Sequence, residues 1–353
     1  MTEPRILQKP VQTAEASVRA AADRARRRRR RATVVLALSA LVLLALMVAT
    51  MSLGRLGLDL DDWAKVFEGT ARGKTSFVLE RLRGPRLLVA LGAGMALGQA
   101  GLLFQRALRN PLASPDIMGI TAGAGAGTVL AVHLLFIPAG IGAAAGAVFA
   151  AGLAWLSTGR GFNAIGRLIV AGIAIAAASL AVIHFVVAVT LRDKAMGLVA
   201  LVSGSLNSRD PAQGLFIGIC VLVGIPLSVL VMRRLRVLEL GDDLATGLGS
   251  QPSRTRTLAI ALGVAWCAAA VAVAGPVAFI ALASPQIARG LVGWDRVLPM
   301  TMVTGAILLV GADLLVQQAP MFDGLSVGVV TGFLGGLYLA GVLAVQWRRG
   351  TLA

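Results

Sequence analysis

Few side chains in this sequence belong to the types that make and break bonds, and those few are poorly placed for it. Gly69-Thr70-Ala71-Arg72-Gly73-Lys74-Thr75 has the glycines, lysine and threonine of a phosphate-cradling loop. Only three residues separate its glycines, where such a loop needs four, and no strand precedes it. Gly123-Ala124-Gly125-Ala126-Gly127 has the glycine content of a dinucleotide turn but lies within an apolar run. His133 and His184 fall on different apolar segments, with no cysteine or carboxylate at ligand spacing, and do not read as a metal site. Cys220 and Cys267 each sit inside an apolar run and read as packing residues. Ser203-Gly204-Ser205 falls in an expected loop rather than opposite a base on a facing helix. The sequence therefore points to no catalytic residue, no cofactor and no metal, and any ATP-driven work must come from another chain.

Three other features carry more. Asp313 lies between Ala312 and Leu314 in an apolar run, where a carboxylate is costly unless paired or hydrated. It reads either as an interhelical or helix-end hydrogen bond or as part of a pathway. Arg109-Asn110-Pro111-Leu112-Ala113-Ser114-Pro115 is a polar, proline-broken stretch between two apolar segments. Its irregular backbone is tolerated at a membrane only where protein or water satisfies the freed groups, and an inert anchor needs no such break. Leu238 to Gly249 is a polar stretch in which Asp242 and Asp243 favour the start of a short helix over Leu244 to Leu248, with Gly249 ending it. Such a helix is either an ordinary loop element or a docking knob.

The elements that must hold these residues are membrane spans. Of the 353 residues 57% are hydrophobic and 14% charged, and the mean hydropathy is +0.82. Runs of about 20 apolar residues, enough to cross a bilayer core, recur almost to the C-terminus and leave no room for a large soluble domain. Ten spans are expected: Thr33 to Leu53, Arg86 to Leu108, Ile117 to Leu135, Ile137 to Leu156, Leu168 to Leu191, Leu215 to Met232, Leu258 to Ala274, a short proline-interrupted one over Val277 to Leu291, Val297 to Gln317, and Val327 to Val345. Segments up to Arg83 and from Arg192 to Gln213, the latter with a short interfacial helix, are expected on the outer side.

A net charge of +16 would suggest nucleic acid in a soluble protein, but its distribution explains it. Arg26 to Arg31, Arg106/Arg109, Arg160/Arg167, Arg233/Arg234/Arg236, Arg254/Arg256, Arg289/Arg296 and Arg348/Arg349 all fall on one face when the spans alternate. The positive-inside rule makes that face cytoplasmic, with both termini there. No aromatic residues interleave with the arginines, so anionic membrane lipid is the expected partner of this charge and nucleic acid is not. Residues 1–31 are expected as a retained, largely disordered basic tail with a helix near Ala14 to Arg26, residues 32–347 as one transmembrane domain with a cytoplasmic loop over 233–256, and residues 348–353 as a second tail.

Small residues at fourfold spacing, Gly94/Gly98, Gly119/Gly123/Gly127, Gly142/Gly146 and Gly328/Gly332/Gly336, put bare backbone on single helix faces and call for tight packing. A faint echo pairs Leu112-Ala113-Ser114-Pro115 with Leu282-Ala283-Ser284-Pro285 and Ala90-Leu91-Gly92 with Ala261-Leu262-Gly263, at offsets of 170 and 171. Because five crossings separate the spans concerned, a true repeat would be inverted.

Several segments in order resemble the FecCD family, the permease subunits of binding-protein-dependent ABC importers for iron-siderophores, haem and cobalamin. They are Arg83-Gly84-Pro85-Arg86, Gly101 with Gln105, Arg109 to Pro115, Gly204-Ser205-Leu206, Leu240-Gly241 through Leu248-Gly249, Gly275 to Ile280, Ser284-Pro285-Gln286-Ile287-Ala288-Arg289, Ala312-Asp313, and Val327 to Thr331. The resemblance implies an all-α polytopic fold of about ten helices, like the cobalamin-importer permease of type II ABC importers. The subunit would pair with a second copy or paralogue, bind two cytoplasmic ATPases and receive substrate from an extracytoplasmic binding protein, in the bacterial cytoplasmic membrane.

Carried over by residue, Leu240, Gly241, Asp242, Asp243, Leu244, Ala245, Leu248 and Gly249 look like the ATPase-coupling segment. Arg83 and Arg86 match the outer position that receives glutamates of the binding protein. Gln105, Arg109, Asn110, Pro111, Pro285, Gln286 and Asp313 would shape the pathway or its inner mouth. Gln286 stands where other members carry histidine and Gln317 where some carry arginine, and no tryptophan precedes Gly204. These departures lean toward a ferric siderophore over haem or cobalamin and shrink the outer docking set. A cation-coupled secondary transporter, which would want more intramembrane carboxylates than Asp313, and a non-transporting receptor or scaffold are the competing classes.

Overall fold

A computed structural model of the chain describes residues 8–54, 56–158, 165–190, 203–322 and 324–348. Arg160, Arg349 and residues 192–202 of the expected interfacial segment lie outside them. The described residues are helical and contain no strand. In chain order the helices are α1 (Gln8–Ser52), α2 (Leu60–Phe67), α3 (Lys74–Phe77), α4 (Arg83–Ala107), α5 (Ile120–His133), α6 (Ala139–Ser157), α7 (Ile165–Thr190), α8 (Pro211–Leu238), α9 (Asp242–Gly247), α10 (Pro252–Ala274), α11 (Ile280–Val292), α12 (Val297–Gln318) and α13 (Val327–Arg348). Seven stretches are long and apolar enough to cross a membrane, α5 and α13 are shorter apolar helices, and α11 fills the place of the short proline-containing span.

Boundaries move where local chemistry differs from hydropathy. The helix expected to start at Arg86 begins at Lys74, because a π-turn over Val78–Leu82 joins α3 to α4. Pro85 cannot donate to the preceding turn, and a wider turn absorbs the missing bond. The basic segment expected to be mostly irregular is helical: α1 passes through Arg26 to Arg31 into the apolar stretch without a break, as the high helix propensity of arginine allows. The loop expected over 233–256 shrinks, since α8 runs on to Leu238 and α10 starts at Pro252.

α4 is the axis of the bundle, with 83% of its most apolar window buried against 17% for α1. Alanine and glycine make that possible. A Cβ on Gly94 would meet Gly305 O at 2.5 Å, and one on Gly98 would meet Thr301 O at 2.7 Å, so α4 and α12 touch backbone to backbone. Gly123 and Gly127 of α5 meet Gly142 and Gly146 of α6 in the same manner. α10 and α11 close the other sides of α4. Large exposed apolar side chains on α1, α6, α7, α8 and α13 form the outer surface, as lipid contact requires.

Of the echoed pairs, Ala90-Leu91-Gly92 and Ala261-Leu262-Gly263 are both helical, but the proline-containing pair does not share a conformation. Leu112 to Pro115 is a run of turns and extended backbone, whereas Leu282 to Pro285 is helical. Pro285 lies inside α11, where it removes the bond its N–H would have made to Ala281 O, and the Ser284 hydroxyl donates to Ile280 O at 2.6 Å. A break used twice is therefore not present, and the two regions are instead joined by bonds from Gln105 to Leu282 O and from Gln286 to Pro111 O.

Candidate functional sites at the two ends of the bundle

One end collects the arginines. α4 closes through a 6→1 and 5→2 pair of hydrogen bonds, Asn110 N–H to Gln105 O at 3.1 Å and Arg109 N–H to Arg106 O at 3.4 Å. That geometry needs a left-handed residue, usually glycine, and Arg109 supplies it at φ 49°. Asn110 Oδ1 then accepts from Leu112 N at 2.9 Å, turning the chain around Pro111. The turn is pinned to α11 from both sides: Gln105 Nε2 donates to Leu282 O at 3.1 Å and Gln286 Nε2 to Pro111 O at 2.9 Å. Gln105, Arg109, Asn110, Pro111 and Pro285 border a 230 Å³ cavity at this end.

The Arg109 side chain carries the turn to the next element. Its Nη2 donates to Leu238 O, at the end of α8, and to Asp242 Oδ1 at 2.8 Å. Arg256 Nη2 of α10 reaches both oxygens of the same carboxylate at 2.8 Å. Partial burial pushes the Asp242 carboxyl up, but the hydrogen bond and charge of Arg256, joined by Arg109, outweigh it and hold it below the ordinary carboxylate value. Arg106 of α4 also pairs with Glu239.

Asp242 thereby fixes a short exposed helix. α9 begins two residues earlier than the sequence suggests, after Gly241 at φ 103°, and closes at Gly249, φ 78°, with Ser250 N–H on Ala245 O at 2.9 Å. Ala245 is buried against the body, while Leu240, Leu244 and Leu248, spaced four apart, project outward and are mostly exposed. A polar clamp on one side and three bare leucines on the other give a rigid apolar knob. Asp243 is exposed beside it.

The opposite end is tied by two other arginines. Asp313 is 1% exposed near the end of α12, and Arg86 of α4 grips it through Nε at 3.1 and 3.0 Å and Nη2 at 2.7 Å. Gln317 Nε2 adds a bond at 2.7 Å. Asp313 is thus an interhelical ion pair at the end remote from Arg109, not part of the mouth that Arg109 shapes. Arg83 Nη1 donates to Thr50, Met51 and Leu53 carbonyls at 2.7, 3.1 and 2.6 Å, capping α1 where its last acceptors are free. The two arginines expected to be open to a partner's glutamates therefore already have acceptors inside the chain, and only Arg86, 17% exposed, keeps part of its surface outward.

Distant motif pieces also converge at this end. Ser205 N–H donates to Ala274 O at 2.9 Å, Gly328 N–H to Gly204 O at 3.2 Å, and a Cβ on Gly204 would meet Pro276 O at 2.6 Å. Nearby, the Thr75 hydroxyl bond at 2.7 Å holds the Asp62 carboxyl below the ordinary carboxylate value against the opposing effect of burial, with help from Asp59 N–H, Lys74 and Lys65.

Sequence reasoning missed four contributors. Glu239 had no assigned role, and Arg256 counted only toward the positive charge of its face. Trp294, whose ring centroid lies 3.7 Å from the Arg106 guanidinium carbon, is separated from it by 188 positions. Asp116, one residue beyond the quoted break, accepts from the Thr121 hydroxyl at 2.5 Å and from Phe279 N at 3.2 Å, bracing a left-handed Phe279 (φ 76°) ahead of α11. The signal for Asp116 was available: it follows Pro115 directly.

This architecture has known counterparts. The chain is 38% identical over 285 residues to the ferric enterobactin transport system permease protein FepG of Escherichia coli (strain K12), covering 80% of this chain and 86% of that protein. It is 32% identical over 320 residues to the achromobactin transport system permease protein CbrC of Dickeya dadantii (strain 3937), covering 88% and 90%. A solved structure described as an inward-facing conformation of a putative metal-chelate type ABC transporter superposes with a TM-score of 0.76 at 25% identity, over 88% of this chain and 99% of that one. The FecCD transport family pattern matches residues 41–345, a span that takes in both arginine-tied ends and the glycine motifs that converge at the Asp313 end. The chain belongs to the FecCD transport family.

Proposed function

We propose that this chain is the membrane permease subunit of an ABC importer that moves an iron-siderophore complex across the bacterial cytoplasmic membrane. It makes and breaks no substrate bonds. Relatives named for ferric enterobactin and achromobactin support the substrate class. The arginine-rich end faces the cytoplasm, as the positive-inside rule requires, and both termini lie there. A second copy of the chain or a paralogue completes the pathway, two ATPases bind at this end, and an extracytoplasmic binding protein delivers cargo at the other.

The observation that carries the reading is the Asp242 clamp. An exposed leucine knob would be of little use as a lever if it could swing freely, but Arg109 and Arg256 fasten it to α4, α8 and α10 together. Movement of an ATPase docked on Leu240, Leu244 and Leu248 then reaches the central helix without slack. Arg83 and Arg86 serve first as internal ties. Arg86 retains enough exposure to meet a partner's carboxylate, and Arg72 and Arg81 add exposed positive charge on that side, which would speed encounter and set register.

The test is co-expression with a candidate ATPase and binding protein. Ferric siderophore uptake into proteoliposomes that needs ATP and the binding protein supports the importer. Uptake by this chain alone, driven by an ion gradient, would sink it.

A further inference from the structure

Beside Trp294 is a second, separate cleft of 370 Å³, bounded by Arg28 and Arg31 of α1, by Arg289 and Leu291 at the end of α11, and by Asp295 of the α11–α12 turn. Arg28 and Arg31 are three apart and share one helix face. Trp294 lies between the cleft and α4: its ring centroid is 5.4 Å from the Arg289 guanidinium carbon and 3.7 Å from that of Arg106. Arginine–aromatic contacts of this kind hold the cation in place. Among the described residues Arg28, Arg31 and Arg289 have no carboxylate partner. Asp295 is the one acid on the wall, so three guanidinium groups face a single carboxylate.

Directly along α1 from this cleft runs a bare apolar stripe, with Val34, Leu38 and Leu41 each more than half exposed, and Leu291 is exposed at the cleft itself. A cationic clamp at the foot of an apolar stripe has the polarity of an amphiphile standing upright. We propose that this cleft binds the phosphate of an anionic phospholipid in the leaflet at the arginine-rich end, with the acyl chains lying along Val34, Leu38 and Leu41. The arginine fork suits a phosphate held by paired N–H groups, and tryptophan is at home at headgroup depth. A free anion would leave the stripe unused. The inference does not depend on what the chain transports.

The experiment is native mass spectrometry of the full chain released from nanodiscs of equal phosphatidylglycerol and phosphatidylcholine. Wild type should retain phosphatidylglycerol in preference to phosphatidylcholine, and R28Q/R31Q/R289Q should lower that retention at least tenfold. R26Q/R29Q/R30Q removes the same charge from the other faces of α1 and should leave retention unchanged. Equal loss in both triples would mean diffuse attraction of the basic helix and overturn the site. Displacement of the lipid by millimolar inorganic phosphate would assign the cleft to a free anion and overturn it as well. Thermal melting in pure phosphatidylcholine checks the fold of each variant, and if the cleft triple unfolds, R289Q alone is read by the same retention ratio.

Discussion

Arg109 and Asp242 stand 133 positions apart and meet at 2.8 Å, which joins the broken end of the central helix to the exposed leucine knob. Arg109 occupies a left-handed conformation that costs a non-glycine residue on the order of 1 kcal/mol. Glycine would be the easier residue for the turn, and the side chain that glycine lacks is the one that reaches Leu238 and Asp242.

The first prediction is that R109G keeps the turn and loses the link. Thermal stability should change little, because relief of strain offsets the lost bonds, while ATP-driven uptake falls. R109A and D242A should be less than additive, with a coupling of about 1 kcal/mol in a double-mutant cycle on melting temperature. Full additivity would show that the pair does not act as a unit.

The knob itself should be separable from the fold. L244D places a charge among the three exposed leucines without touching buried Ala245, so the purified chain should melt as wild type does while ATPase co-purification is lost. Retained ATPase in a pull-down would reject docking at this surface.

At the other end, the Arg86–Asp313 pair is buried on the Asp313 side and satisfied by Gln317. Removing one partner leaves an uncompensated charge, and R86A or D313A should cost about 3–5 kcal/mol. The double R86M/D313L should be more stable than either single variant. The readout is thermal melting in detergent, and a double variant worse than both singles would contradict the account.

The Asp62 carboxylate, held low by Thr75, gives a pH dependence with a definite sign. Its folded pKa lies below the ordinary value, so its contribution is complete above that ordinary value and is lost as pH falls through the lowered one. Trp63, whose indole donates to Ser52 at 2.9 Å, reports it: acid titration of tryptophan fluorescence should show a transition in wild type that is missing in D62N. The same transition in D62N would assign it to another group.

Packing gives the sharpest contrast. G94L would drive a side chain into the Gly305 backbone, where overpacking costs about 1–3 kcal/mol or more. G332A, with nothing within 4 Å of its added carbon, should be neutral. Comparable loss of folded yield in both would remove the backbone seam as an explanation.

Hydropathy and charge asymmetry made the spans and the arginine-rich end legible, because each depends on composition averaged over many residues. The glycine spacing foretold tight packing on α4, α5 and α6 for a related reason, since a period of four fixes a face whatever lies opposite, but it failed on α13, where a Cβ on Gly332 or Gly336 meets nothing within 4 Å. Partners were another matter. That Asp313 meets Arg86, or that Arg83 caps α1, depends on which of several arginines the fold brings within 3 Å, and no local pattern encodes it. The π-turn before α4 and the continuation of the N-terminal helix through Arg26 to Arg31 escaped notice because neither alters hydropathy. Docking roles assigned to Arg83 and Arg86 by resemblance overlooked internal acceptors that only the folded chain supplies.

The seam between Gly94 and Gly305 has a mechanical side. Backbone contact at Gly94 and Gly98 ties α4 closely to α12, and α4 is a rod of about 37 Å, from 25 residues at 1.5 Å each. Such a rod converts angle into travel: by that length, a tilt of about 5° at the Arg109 end displaces the Arg86–Asp313 end by about 3 Å. That is about the length of a hydrogen bond, so a tilt of this size is comparable with the contacts that tie the opposite end.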